Sequence, residues 1–407
     1  MIIDRRGPSL FTRSIAAATL FRAPRGAGRR SPALIQASDT LMYRTRFIAR
    51  LRTAAVLLAA LAALSACSSE SDNGAESDNA AQPAETVPAE IGYMPILPDA
   101  PLFVGLEDGS IAAAGIEPKL VSFQNGPAMV QALLGGQLDI AYFGIGPTMV
   151  ARGKGADIKV VASNIIEQIS FVALGNLAPY FEDGDPATAF ARFQQDNGRK
   201  ARISTFPVGS VPQTVLAYWL DKQLGVDAGV IDVIHQGASQ VQQSLLTGAV
   251  DGAAILEPVV SIVKNRLDDA RVVAKGEAMF PGQPGAVLAV RAEFIEAHPE
   301  VVERLVAAHD RATKQLKAGD EAAIDAVHQY VGGGRLPREV VAEAVAQSSD
   351  NFVADPNRII DGTRRMRDFQ QAQGTLGADT DIEALFDTRF YDALESADRA
   401  GEASASP

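Results

Sequence analysis

The chain has 407 residues, enough for two domains of ordinary size, and its 47% apolar and 21% charged content is globular, which excludes a wholly disordered or fibrous protein. A single cysteine excludes an internal disulfide framework and a cysteine-built zinc site, and four scattered histidines leave little material for a His-rich metal site. The net charge of −12 is unevenly spread: residues 1–66 hold 11 Lys+Arg and 2 Asp+Glu, leaving 26 basic and 47 acidic residues in a body too acidic for general nucleic-acid binding.

The basic head reads as an export signal. Arg44, Arg46, Arg50 and Arg52 precede Thr53 to Leu64, an apolar run of 12 residues. A transmembrane helix needs ~20 residues, so the run fits a signal-peptide core instead. It ends in Leu64-Ser65-Ala66-Cys67, which resembles a bacterial lipobox whose cysteine is acylated and becomes the mature N-terminus. Met42 would open a signal peptide of ordinary length, so residues 1–41 are expected to be an upstream extension from a mis-assigned start. Residues 68–87 are rich in Ser, Asp, Asn, Glu and Ala and lack aromatics. They cannot bury enough apolar area to offset their ordering entropy, and read as a tether.

From Glu90 strands and helices alternate. Ile91 to Met94 is a strand, Pro98 to Pro101 a turn, and Leu102 to Ala114 a helix stopped by Gly115. Pro118 to Phe123 is the second strand, and Gly126-Pro127 opens a helix that runs to Leu134. Leu138 to Phe143 is the third strand, and Gly144 to Pro147 open another helix. Lys159 to Ser163 and Ile169 to Leu174 follow as strands. This order predicts a mostly parallel, doubly wound sheet. Val301, Leu305 and Ala308 recur at helical spacing and mark an apolar stripe near the C-terminus.

An internal repeat divides the body. Residues 121–139 align without a gap on 233–251, with seven of 19 positions identical, among them Gln124/Gln236, Gly136/Gly248 and Asp139/Asp251. The strand Arg202 to Phe206 and the turn after it repeat the arrangement at 90–114. Two like-built lobes suggest a clamshell. In open parallel sheets ligands sit beyond the strands' C-terminal ends, where helix N-termini present unpaired N–H groups. The turns that open those helices are Pro98-Asp99-Ala100, Gln124-Asn125-Gly126, Gly144-Ile145-Gly146 and Val208-Gly209-Ser210-Val211. Such turns can hold an anion without Lys or Arg, because small residues let it approach the backbone. No Gly-x-Ser-x-Gly elbow, Walker loop or His-Glu-x-x-His occurs, so no catalytic residue, metal ligand or cofactor is assigned.

The segments IGYMPILPDAPLFVGLEDG (91–109), QALLGGQLDIAYFGIGPTMVARG (131–153), ARISTFPVGSVPQTVLAYWL (201–220), VQQSLLTGAVDGAAILEPVV (241–260) and LAVRAEFIEAHPEVVERLVAAH (288–309) resemble ABC-importer substrate-binding proteins of the nitrate/sulfonate/taurine group. That group is NMT1/THI5-like, with the periplasmic-binding-protein type II fold. The resemblance implies two α/β lobes joined by a hinge. Lobe I would comprise 88–172 with 286–395, lobe II 173–285, and 396–407 a frayed tail, with crossings near Leu174-Gly175 and Gly285-Ala286. It implies ligand contacts from Pro98, Asp99, Ile145, Gly146, Pro147, Gly209, Ser210, Val211, Gln213 and Glu257; Asn125 and Gly126, in a helix-opening turn, and Gln236 are further candidates. The third turn lacks the two serines usual in the group, and Phe143 and Ile145 make the expected pocket more apolar. Phe206 and Tyr93 offer stacking faces. Asp99 or Glu257 is a candidate partner for a cationic nitrogen.

The implied role is a lipid-anchored, monomeric receptor outside the cytoplasm that captures a small anionic or zwitterionic organic solute and delivers it to membrane permease subunits. The alternative is an enzyme or sensor acting on a thiamine-precursor-like molecule; the enzymatic branch of the fold carries a cysteine-rich motif that this chain cannot supply. If Cys67 is acylated, Cys67→Ala leaves the protein unprocessed or released from the membrane fraction, with its body folded. A processed Cys67→Ala protein retained in membranes would refute the lipobox.

Overall fold

The computed structural model describes residues 86–405 apart from 183, 378 and 379; the expected signal segment, Cys67 and the tether to residue 85 lie outside the described residues. The first half of the body runs β1 (Val87–Tyr93), α1 (Ala100–Glu107), β2 (Ile116–Ser122), α2 (Gly126–Leu134), β3 (Ile140–Gly144), α3 (Ile145–Gly153) and β4 (Ile158–Ser163). The second contains β5 (Ser170–Ala173), α4 (Pro186–Asn197), β6 (Ala201–Thr205), α5 (Val211–Tyr218), β7 (Ile231–His235), α6 (Ala238–Leu246), β8 (Gly252–Ile255), α7 (Val259–Arg266) and β9 (Arg271–Ala274). The chain then returns through β10 (Ala286–Arg291) to α8 (Ala292–Ala297), α9 (Pro299–Ala318), α10 (Glu321–Tyr330), α11 (Arg338–Ser348), α12 (Ile360–Ala372) and α13 (Arg389–Ala405).

Two five-stranded sheets result, ordered β2-β1-β3-β10-β4 and β7-β6-β8-β5-β9. Each is parallel except for one strand, β10 in the first and β5 in the second. The exceptional strand is in each case the one that follows a passage from the other lobe. The first sheet is covered on both faces, as a mostly parallel sheet requires. Ile140 and Leu288 pack with Phe103 of α1, Leu305 of α9 and Val341 of α11. Ala141, Phe143 and Val287 share the other core with Met129 of α2, Met149 of α3 and Met366 of α12. The stripe residues Val301, Leu305 and Ala308 are all buried along α9.

Three expectations are revised. The helix expected over 102–114 is two pieces, because Gly109 adopts φ +75 between α1 and a short turn at Ser110–Ala113. The strand at 170–173 belongs to the second sheet, so the first passage between lobes spans 164–169 rather than Leu174-Gly175. An apolar run reveals a strand but not its partners; here β5 pairs with β8 and β9. The second passage spans 275–285 and leads into β10 at Ala286. The tail expected to fray from 396 is helical to Ala405, with Ser396 Oγ donating to Asp392 O at 2.7 Å and Arg399 paired with Glu395 across one turn.

The repeat is structural. Helices α2 and α6 are nine residues each, and both end at a glycine with positive φ, Gly136 at +69 and Gly248 at +66. The shared aspartates then perform the same task. Asp139 Oδ2 accepts from Glu90 N at 2.9 Å, and Asp251 Oδ2 accepts from Arg202 N at 2.7 Å, so they clamp the turns before β3 and β8 to the neighbouring parallel strands β1 and β6. Asp251 is the deeper of the two. Burial alone would raise its carboxyl, but the two-pronged Arg199 guanidinium, Arg202 N–H and Asn176 amide outweigh it and hold it below the usual range. We expect Asp251→Ala to destabilise the fold by roughly 1.5–3 kcal/mol, the scale of hydrogen bonds to a charged group. A depressed folded pKa gives stability that is present above the unfolded value, about 3.9, and is lost as pH falls through the folded one. Urea denaturation from pH 7 down to pH 2 should show that loss in the parent and not in the variant.

Candidate functional site

A cleft lies between the C-terminal ends of the two sheets. Its walls are Met94 and Ile96 after β1, Gly126 at the start of α2, Gly144 and Pro147 at the start of α3, Phe206 after β6, and Ser210, Val211 and Pro212 at the start of α5. Gln168, Leu256 and Ala286 complete it. Three helix starts thus border one space, and none of the lining side chains is charged. The cavity measures only about 20 Å³.

The lobes are shut on each other. A Cβ on Gly146 would stand 3.0 Å from Gly209 O and 3.1 Å from Gln370 Nε2, so any larger residue here pushes against the opposite lobe. Gln370, on α12, donates from Nε2 to Thr214 Oγ1 on α5 at 2.9 Å, with both residues buried. Ser239 Oγ donates to Gln124 Oε1 at 3.2 Å, and Asn265 Nδ2 to Glu343 Oε2 at 2.8 Å. Leu97 N reaches Glu257 O at 3.4 Å. Inside the closed cleft Ser210 Oγ and Gln168 Oε1 have no hydrogen-bond partner. A buried polar atom left so costs about 1–3 kcal/mol.

Of the expected site residues, the structure gathers Gly126, Pro147, Ser210 and Val211 on the cleft wall, with Gly146 and Gly209 meeting at its edge. Gly209 has φ +84, a conformation side chains resist, and its N–H donates to Gln213 Oε1 at 3.2 Å, which ties Gln213 to the turn. The others face elsewhere. Asn125 caps α2, accepting from Ala128 N at 2.9 Å. Ile145 is buried, its N–H donating to Gly285 O at 2.8 Å. Pro98 is buried, its carbonyl accepting from Asn164 Nδ2 at 3.0 Å. Gln236 Oε1 accepts from Ser204 Oγ and Ser244 Oγ inside its own lobe. Glu257 accepts from Ser261 N and Oγ, both at 3.0 Å, and so caps α7 on the hinge side of the molecule. Burial raises its carboxyl against those two bonds.

Phe206 is on the wall, whereas Tyr93 packs edge-on against Phe103, 5.8 Å between centroids. Sequence reasoning missed Met94, Ile96, Leu256 and Gln168. Gln168 lies in the passage between lobes, and no local signal marks such a position. Among the described residues no group of three or more His, Cys, Asp and Glu could hold a metal ion.

A profile of the NMT1-like family matches residues 82–332. A Bacillus subtilis protein provisionally named an aliphatic sulfonates-binding protein is 25% identical over 308 residues, covering 74% of this chain and 87% of its own length. The alkanesulfonate-binding protein SsuA from Xanthomonas axonopodis pv. citri, solved with MOPS, superposes with a TM-score of 0.61 at 20% identity, over 75% of this chain and 99% of that one. The periplasmic nitrate-binding protein NrtA from Synechocystis superposes with a TM-score of 0.66 at 15% identity, over 77% and 89%. At such identities the two structures establish a shared fold, that of periplasmic binding proteins.

Asp99 is fully buried; its Oδ2 accepts from Met94 N at 2.8 Å and its Oδ1 has no partner. Burial pushes its carboxyl well above the usual range, against the weaker opposing pull of the Met94 N–H. It fastens the first turn by accepting the Met94 N–H. A raised folded pKa means the unfolded chain sheds its proton first, so stability falls as pH rises above about 4 toward the folded value. Asp99→Asn should flatten that slope and match or exceed parental stability at pH 7 in thermal melts. Unfolding of Asp99→Asn at pH 7 would contradict this account.

Proposed function

The chain belongs to the NMT1-like family, and on that premise we propose that it is the solute-binding component of an ABC importer, working outside the cytoplasm on a small oxyanionic solute of the nitrate and sulfonate class. The observation that carries the reading is the meeting of three helix starts, those of α2, α3 and α5, at one cleft without a charged side chain. First-turn N–H groups have no intrahelical partner, and the helix dipole makes that end positive. Such an end binds an oxyanion without an ionised side chain. Ser210, at the start of α5, adds a buried hydroxyl with no partner.

A cavity of about 20 Å³ admits no such solute, so the lobes part to load it. Opening breaks the Gln370–Thr214 and Gln124–Ser239 bonds. A solute touching both lobes then favours the closed form by its differential affinity for it. In this reading the closed form delivers its cargo to permease subunits, and acylated Cys67 anchors the chain to the membrane through the segment up to 87. The enzyme alternative draws no support from the relatives described above, which are binding proteins by name.

Calorimetric titration with nitrate and with short alkanesulfonates tests the proposal. Ser210→Ala should weaken the anion that binds by roughly 2- to 150-fold, the range set by one hydrogen bond of about 0.5–3 kcal/mol. No heat with any of these anions, or full affinity in Ser210→Ala, would sink it.

A further inference from the structure

A second cavity, of about 580 Å³, lies on the hinge side of the molecule. Both passages between the lobes border it, at Ile166 to Gln168 and at Lys275 to Glu277. Lobe II adds Glu257 and one face of α7, and lobe I adds the end of α11 with the turn to Asn351. Its volume falls within the ~300–1,000 Å³ typical of small-molecule sites. The wall is firmly made. Glu167, at φ +50, is the one non-glycine residue with a positive φ among the described residues. Such a backbone persists only where its surroundings over-determine it. Here Glu167 Oε1 accepts from Gly282 N at 2.6 Å, and Gly276 packs so closely that a Cβ on it would strike the Glu167 carbonyl.

The charge of the lining is unbalanced. Glu167, Glu257, Glu277 and Asp350 face two ammonium groups, Lys264 and Lys275. Lys264 is drawn toward Glu343, 3.7 Å from Nζ to Oε1. Both lysines, Glu277 and Asp350 are exposed at the rim, whereas Glu257 and Gln168 lie deeper. Ser261 N and Oγ each satisfy one site on the Glu257 carboxylate, which offers about four. Gln168 Oε1 is buried without a partner. The deeper part of the cavity therefore has acceptors to spare and lacks donors. An anion there would face carboxylates. A metal ion would find too few ligands, since no group of three or more His, Cys, Asp and Glu among the described residues could hold one. An ammonium or guanidinium group supplies both the missing donors and the missing positive charge.

We infer that this hinge-side cavity is a second binding site, for a small organic cation whose ammonium or guanidinium group is held by Glu257 and the amide oxygen of Gln168. The site is separate from the anion cleft. Because both lobes line it, its occupant favours the closed form.

Calorimetric titration of the purified protein with 1,4-diaminobutane and with 4-guanidinobutylamine tests the site. Both should bind, whereas 1,4-butanediol and butanedioate, of like length without positive charge, should not. Glu257→Gln keeps an acceptor for Ser261 and should weaken both cations by about 10- to 150-fold, the scale of one hydrogen bond to a charged group. Ala346→Trp, at an exposed position of α11 on the cavity wall, should block binding by volume while leaving every carboxylate in place. Small-angle scattering should show a smaller radius of gyration with saturating diaminobutane. Binding of neither cation, binding of the diol as tightly as the diamine, or full affinity in either variant overturns the site. Cation binding with an unchanged radius overturns its bridging of the lobes. Anion titrations are read separately, so failure of the cation site leaves the importer reading standing.

Discussion

The two passages between the lobes, 164–169 and 275–285, are hydrogen-bonded to each other. Asn164 N donates to Ala286 O at 2.9 Å, Gly285 N to Ile165 O at 3.0 Å, and Glu167 N to Gln283 O at 2.8 Å. Any displacement of one sheet relative to the other must be absorbed in this short two-stranded ribbon or break it. The ribbon also explains the topology. Each passage delivers its chain into the receiving sheet from the far side, so β5 and β10 enter antiparallel to the strands on both sides of them, while the other four strands of each sheet share one direction. The cleft follows from the same fact, because the ribbon sets the C-terminal edges of the two parallel sets face to face.

Closure rests on a few hydrogen bonds and on the Lys264–Glu343 ion pair between α7 and α11, 3.7 Å from Nζ to Oε1. A single buried hydrogen bond such as Gln370–Thr214 contributes about 0.5–1.5 kcal/mol net, and an unpartnered group such as Ser210 Oγ costs about 1–3 kcal/mol. The two effects are of one size. A ligand that gives Ser210 and Gln168 their partners therefore shifts the balance by an amount that matters, which a rigid interface cemented by many contacts would not allow. The glycines at 146 and 209 contribute geometry instead of energy: one lets the backbones meet, the other lets the turn before α5 bend with φ +84.

Much of this was legible in advance. Alternating strands and helices, the boundaries of α2, and the repeat at 121–139 and 233–251 all follow from local pattern. Asp139 and Asp251 are an identical pair of that repeat, and both carboxylates bind a backbone N–H 49 residues earlier. The turn at Gly209-Ser210-Val211 was legible because glycine between a strand and a helix signals a special φ. What failed did so for an identifiable reason. The strand at 170–173 was visible but its sheet was not, since pairing is a contact between distant segments. Asp99 and Glu257 looked like ligand carboxylates of the cleft, yet each turns to a backbone N–H nearby, and only burial distinguishes those roles.

The sequence by itself determined which segments are strands and which are helices, that the body is built twice on one plan, and where glycine and small residues open the helices. These are consequences of periodicity and backbone preference, which act within a dozen residues. Only the tertiary structure decided that the chain changes sheets at 164–169, that Met94, Ile96 and Gln168 share a wall with Ser210, and that the cleft is closed and free of charge. Those outcomes depend on which buried surfaces meet across more than a hundred residues of chain, and no local pattern encodes a distance in space.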